Sequence, residues 1–467
     1  MSGLFVKGEE KVRAGVYRRH EKIDGSTVAA AMNGVFCIPV HADWGPLGEV
    51  QEITSKSDLT AMYMEGGTID AAEALFDAGA VTVYVYRLGS GGTKGTAKIQ
   101  NSTGTDAVTL TTRYETDTVL SVTIKQKLGD STTKECSIYN GSVLLEKIAF
   151  TAGEGEIDAL IEAMKYSQYL TAAKEEGASG TLQDVSQKAL SGGTAPTVNN
   201  EAYSNAFTAF ESLRWNVLVL DTVDDEVQAT AKAFMERIHD NGAIGICVIG
   251  EASSSALSTR MDNAKAYNAP YFVYCGSGYV DIAGNTVDGY LSIAMQAGII
   301  GSKDSSQSIV HTEIPGAESC LEKLTNQQYE EAIKAGLLLL SEGYDGQVWF
   351  DSGVNTYTVL AEEDDEGWKK IKRTAVRNEA FDRIDRTLEP LIGKINCDDD
   401  GVDNVIQQAK AVLAQMELEG KILDTYDFYE DPDNPHAADH AHFIIQIDDI
   451  DSLEKIYLTY QFRYVAS

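Results

Sequence analysis

Trp215-Asn216-Val217-Leu218-Val219-Leu220-Asp221 is an apolar run that ends on a carboxylate, and its reading decides the fold. A short run of this kind is what a strand covered on both faces requires. Val227, Ala231, Phe234 and Ile238 then share one face of a helix. Ile244-Gly245-Ile246-Cys247-Val248-Ile249-Gly250 is a second buried strand, a helix near Ser258–Tyr267 follows, and Pro270-Tyr271-Phe272-Val273-Tyr274 is a third strand. Strands alternating with helices at this spacing predict a parallel sheet with helices on its faces over residues 200–350.

Upstream, residues 1–88 repeat the pattern after a polar arm, Gly8 to Lys22, that holds Ala14-Gly15-Val16-Tyr17. Gly34–Val40 reads as a buried strand, Asp70–Asp77 as a helix and Val81–Tyr86 as a strand of alternating faces. Leu88–Gly95 is a flexible exit. It lacks the spacing of a phosphate loop, because Lys94 is followed by Gly95. Between 96 and 150 the period changes to two, with Val108, Leu110 and Thr112, then Leu120, Val122 and Ile124, alternating with polar neighbours. Short strands separated by turns such as Leu128-Gly129-Asp130-Ser131 predict a small antiparallel domain. Ile157, Leu160, Ile161 and Met164 mark a helix, and Gly177–Asn200 reads as a mobile linker.

Beyond 350 the chain reads as α+β. Val348–Phe350 and Tyr357–Leu360 are strands flanking a turn, and two helices follow. In the second, Val402, Ile406, Ala409, Leu413 and Met416 lie on one face and Gly420 ends it. Ile456, Leu458, Tyr460, Phe462 and Tyr464 alternate with Tyr457, Thr459, Gln461 and Arg463 in a terminal strand that must find a sheet edge, in its own domain or in a neighbour.

At 467 residues the chain exceeds one compact core, and three or so domains are expected. The charge of −33, from 38 basic and 71 acidic side chains, disfavours binding to nucleic acid. The six cysteines are scattered without a CxxC pair, as buried thiols of a reducing cytoplasm would be. No signal-peptide pattern and no run of membrane-spanning length is present, so no membrane insertion is expected.

Candidate chemistry is thin. Asp221 and His239 invite a hydrolase reading, but the Gly-containing turn after the Asp and a nucleophile elbow around Ser253-Ser254-Ser255 are both missing. His436, His440 and His442 lie near Asp431, Asp433 and Asp439, a donor set that suits zinc, although Pro432 and Pro435 place it in a solvated loop. Asn396–Gln407 imitates a calcium loop but has Asn and Gln where the first and twelfth ligands belong. No catalytic, cofactor or metal residue is assigned.

Several segments together resemble the contractile tail sheath proteins of phages and phage-tail-like bacteriocins. They are Arg13-Ala14-Gly15-Val16-Tyr17, Ser352–Thr358 (SGVNTYT), Lys370–Arg386 (KIKRTAVRNEAFDRIDR), Ile392–Asn396 (IGKIN) and Ser452–Tyr457 (SLEKIY). They occur in the family's order over nearly the whole chain, with Ala14 in place of a common Pro and an acidic Glu362–Glu366 tip as departures.

The resemblance implies a multidomain α/β and α+β fold with four parts. These are an N-terminal arm and part of the core in 1–88, and an exposed β-sandwich insert and linker in 89–199. A subtilisin-like α/β domain without a catalytic triad follows in 200–350, then an α+β core with tube-facing helices and an arm strand in 351–467. It further implies a structural subunit, not an enzyme, that polymerises around an inner tube and contracts to drive it through a bacterial envelope. A baseplate or other tail component, or a hydrolase on the same scaffold, are the alternatives. The implied partners are further copies of the chain, the tube, and baseplate and terminator proteins, with no cofactor. Assembly would occur in the bacterial host cytoplasm, ending in a virion tail or a released tail-like particle. Val16, Tyr17, Ile456, Leu458, Tyr460, Phe462 and Tyr464 would link subunits.

Lys369–Arg386 carries seven basic against three acidic side chains, a reversal of the overall sign. It reads either as a solvated helix with local pairs (Glu379 with Arg383, Asp382 with Arg386) or as an inner wall. Lys372, Arg373, Arg377, Arg383 and Arg386 would then face an acidic tube, unless the amphipathic helix at 402–419 is the one that meets it.

Overall fold

A computed structural model describes residues 33–463 and the backbone of two short strands, Ser2–Leu4 and Val16–Arg18, which pair in parallel. The chain divides into two compact units, residues 32–379 with 449–467, and residues 1–31 with 380–448.

The first unit is built on a seven-stranded sheet. Its order is Leu337–Leu338, Phe272–Cys275, Ile246–Gly250, Val217–Val219, Val35–Val40, Thr82–Arg87 and Val50–Ile53, and only the last strand runs antiparallel to its neighbour. One face buries Phe36, Ile38, Val83, Val217 and Val248 beneath the helices Ile69–Asp77 and Gly289–Ser302. The other buries Cys37, Leu218, Cys247 and Phe272 beneath Asn200–Phe210, Asp225–Asp240 and Leu257–Tyr267. Each such side chain contributes about 1.5–3 kcal/mol on leaving water.

The expected division at residues 88 and 200 is corrected here. Val35–Val40 lies against Val217–Val219, so the N-terminal strands complete the same sheet as residues 217–338. A strand apolar on both faces needs helices above and below it. Only this sheet supplies them, but sequence distance hides the pairing.

Between Arg87 and Asn200 the chain leaves the sheet to form two smaller ones. Val143–Thr151, Asp130–Asn140, Leu120–Lys127 and Val185–Ala189 make one; Leu170–Lys174, Asp106–Thr112 and Thr96–Gln100 make the other. Ile99, Val108, Leu110, Val122, Ile124 and Ile138 are buried with Ile157, Leu160 and Met164 of the helix Glu156–Met164. The expected flexible exit and mobile linker are instead paired to each other. Ser90 and Thr197 exchange two backbone hydrogen bonds of 3.0 Å, and Thr93 and Thr194 continue the ladder. Their small polar side chains read as linker because the order resides in backbone bonding. Buried Arg87 fastens the junction, donating to the carbonyls of Ala42, Gly45 and Glu115 at 2.8, 2.7 and 2.8 Å.

Tyr357–Leu360, expected as a strand, is a loop, because the side-chain oxygen of Asn268 accepts from the backbone of Thr358 and Val359. In the second unit the helix Asp399–Leu418 buries Val402, Ala409, Leu413 and Met416, and Asp398 caps it, as a helix-entry loop should. Gly420 ends it at φ +72°, a conformation glycine adopts without steric cost. A hairpin of Asp427–Glu430 and Phe443–Gln446 follows. No described helix is long and apolar enough to cross a membrane. Five cysteines are buried and Cys397 is exposed.

Candidate assembly site: the C-terminal arm and its root

Ile456–Phe462 has the alternation of a strand, yet no strand pairs with it among the described residues. Ile456, Leu458, Tyr460 and Phe462 all lie in solvent, the last 94% exposed, and so does Tyr457 on the opposite side. A run of large apolar side chains without a cover is the mark of an interaction segment. Tyr464 and the side chains of Val16 and Tyr17 lie outside the described residues.

The arm's root is held firmly. Lys370 Nζ lies 2.6 Å from Asp451 and 2.9 Å from Glu454, and Lys372 Nζ donates to Ser452 Oγ at 3.0 Å. Arg373 grips Asp449 with two nitrogens, its Nε at 2.8 Å, while Arg377 Nε approaches the same carboxylate at 3.4 Å. Asp365 joins from the preceding loop, 3.4 Å from Arg373 and 3.2 Å from Arg377. A Cβ at Gly367 would push the Arg373 guanidinium aside, and Arg377 stacks 4.0 Å over the Trp368 ring. Burial works against the charge of Asp451, but hydrogen bonds from Lys370 and Ser452 hold its carboxyl below the usual range.

The SGVNTYT segment connects this root to the sheet. Buried Asn355 donates to the carbonyls of Trp368 at 2.7 Å and Pro270 at 3.2 Å, and Thr356 N donates to Phe272 O at 3.0 Å. Segments singled out separately in the sequence thus meet: Asn355 lies 3.3 Å from Thr374 Oγ1 and Gly353 O accepts from Ile371 N of the basic helix Ile371–Leu388, and Lys372 of that helix bonds Ser452 of SLEKIY.

Within this chain, four of the five tube-facing candidates are taken up by contacts of their own. Lys372 is 6% exposed and Arg383 3% exposed. Arg373 and Arg377 bind the arm root, and Arg383 makes two bonds to Glu419 at 3.1 and 2.7 Å. Arg386, 37% exposed, lies 3.5 Å from Asp382, one of the two expected local pairs. The charge reversal arose because most of the compensating acids, Asp449, Asp451, Glu454 and Glu419, lie far downstream.

Asp221 and His239 do not meet. His239 Nε2 bonds the Gly245 carbonyl at 2.7 Å and its ring stacks on Tyr271. Asp221 is instead the centre of a buried cluster: it accepts from His41 Nδ1 at 2.7 Å, His41 N at 3.1 Å, Thr68 Oγ1 at 2.6 Å and Tyr203 OH at 2.8 Å. Ser253 Oγ donates to Asp288 at 2.8 Å. No sequence motif announced His41, which follows a different strand. In the histidine loop, His436 pairs with Glu430 at 2.8 Å, and among the described residues no group of three metal-ligating side chains converges.

Fold and arm define the class: a multidomain α/β protein whose last described segment lacks a strand partner. Residues 197–356 match the family described as the phage tail sheath protein central domain. The phage-like element PBSX protein XkdK of Bacillus subtilis is 24% identical, over 97% of this chain and 98% of that one. The sheath tail protein of Desulfitobacterium hafniense shares the fold with a TM-score of 0.72 at 18% identity, over 93% of this chain and all of that one. The contracted helical sheath of the anti-feeding prophage follows at 0.59 and 12% identity, over 97% of this chain and 99% of that one. The resemblance to contractile tail sheath proteins is borne out, and these solved structures share the chain's mixed α/β multidomain fold.

Proposed function

We propose that the chain is the repeating subunit of a contractile sheath, polymerising around an inner tube and shortening to drive that tube through a bacterial envelope. The observation that carries this reading is the C-terminal arm: an alternating apolar segment left in solvent and rooted in a charged clasp. A strand with open hydrogen-bonding groups is completed by a sheet edge, and in a homopolymer that edge belongs to another copy. Val16 and Tyr17 would serve the opposite arm. Baseplate and terminator proteins would bound the polymer, and assembly would take place in the host cytoplasm.

The finer organisation belongs to the same proposal. Residues 200–350 would be a subtilisin-like layer without its chemistry, and the insert an exposed sandwich. Contraction would be a rigid-body repacking from a metastable extended state. Tube contact falls to Arg386, the most exposed of the five candidates. With Arg386→Glu, tube-free contracted cylinders should still form while extended sheath on tubes is lost. Normal extended tails from that variant would remove the assignment.

Deleting Ile456–Ser467 tests the main reading. The truncated chain should stay soluble with its α/β sheet folded, yet form no hollow cylinders by electron microscopy. Cylinders of ordinary length would refute the arm's role, and discrete particles from the full chain would favour a baseplate component.

A further inference from the structure

The root of the arm is charge-balanced, with Lys370, Lys372, Arg373 and Arg377 facing Asp365, Asp449, Asp451 and Glu454. Ser308 Oγ adds a hydrogen bond of 3.1 Å to Glu454. Asp449 is 5% exposed, so its bond to Arg373 is shielded from solvent in a way that surface pairs are not. Immediately after Glu454 this regime ends, and every large side chain from Ile456 to Phe462 is in water. The boundary between clamped and free chain is one residue wide, at Lys455. Behind the clamp, Asn355 bonds Thr374 Oγ1 of the basic helix and the Pro270 carbonyl, and Thr356 N bonds the Phe272 carbonyl at the start of a central strand.

We infer that Lys370, Lys372, Arg373 and Arg377 are positioning residues for the arm, forming a clasp that fixes where it leaves the body and delivers its pull to the parallel sheet. This rests on the reading of the arm as a link between copies. The clasp supplies what such a link needs at its near end: an arm attached by a slack tether would pair with a neighbour without moving the body. Held at Asp449–Glu454, it transmits displacement through the helix and Asn355 into the strand Phe272–Cys275. Because the grip is ionic, its strength depends on side-chain charge and on salt more than on backbone conformation.

The test uses the full-length chain in four forms: wild type, Arg373→Asp, Asp449→Arg, and the double variant that exchanges the two charges. Trypsin cleavage after Lys455 is followed in dilute, unpolymerised protein, and cylinders are counted after concentration. Each single variant should speed cleavage about tenfold, as local opening does when a tether is lost. Each should also reduce cylinders severalfold while far-UV circular dichroism stays unchanged. The charge-exchanged pair should restore both, an outcome that merely structural damage would not give. Salt near 1 M, where the screening length falls to about 3 Å, should weaken the more exposed Lys370–Asp451 pair and spare the shielded Arg373–Asp449 bond, moving wild type only partway toward the single variants. Unchanged cleavage in the single variants overturns the clasp, and so does faster cleavage with normal cylinders. If the chain lacking Ile456–Ser467 polymerises, the arm reading fails, while the cleavage result still reports on the clasp alone.

Discussion

Asp221 shows how much a single side chain can carry without chemistry. In the structure it is 2% exposed and takes four hydrogen bonds from three residues of distant segments. Asp221→Ala would strand the buried Tyr203 hydroxyl and the Thr68 hydroxyl, so a loss of about 2–4 kcal/mol is expected in urea unfolding. His239→Ala, which removes one carbonyl bond and a ring stack, should cost less. The hydrogen bond to Asp221 raises the His41 pKa against the opposing effect of burial. A raised pKa means this contribution is full below the unfolded value near 6.5 and is lost as pH climbs through the folded one. The stability gap between wild type and Asp221→Asn should therefore narrow as pH rises from about 6 to 8. A gap that widens over that range would contradict the pairing.

At the scale of elements, the short apolar runs were legible and the polar connections were not. Val35–Val40, Val217–Val219 and Ile246–Gly250 declare themselves because a strand covered on both faces has no room for polar side chains. The pairing of Ser90–Thr93 with Thr194–Thr197 left no such trace, since backbone groups make it. The acids that neutralise the basic helix were equally hidden, lying far along the chain. The turn after the helix Asp399–Leu418 is a case where charge and backbone act together. Glu419 is partly buried, which alone would raise its pKa, but Arg383, Gln415 and Lys421 hydrogen-bond it and bring it down to about 2. A depressed carboxylate stabilises above its unfolded pKa near 4.3, and that stability is lost as pH falls toward the folded value. Glu419→Gln should thus unfold more easily than wild type at pH 7, with the difference vanishing between about pH 4.5 and 2 in acid titrations followed by circular dichroism. A constant difference across that window would mean the carboxylate's charge is irrelevant.

For the whole molecule, the sequence reading reached a mixed α/β multidomain fold and the resemblance to sheath proteins because five separated motifs kept their order. It misplaced the boundaries because one sheet draws on residues 35 to 338. It also took the basic helix for a surface, when most of its charge is turned inward. The hydrogen-bonded pair Ser90 and Thr197 has a consequence for the molecule as a whole. The two ends of a hundred-residue excursion leave and rejoin the body side by side, so the body sees that excursion as a single closed stitch. Whatever hangs on the stitch is free to lengthen, shrink or change its surface, and the register of the seven strands behind it is left untouched.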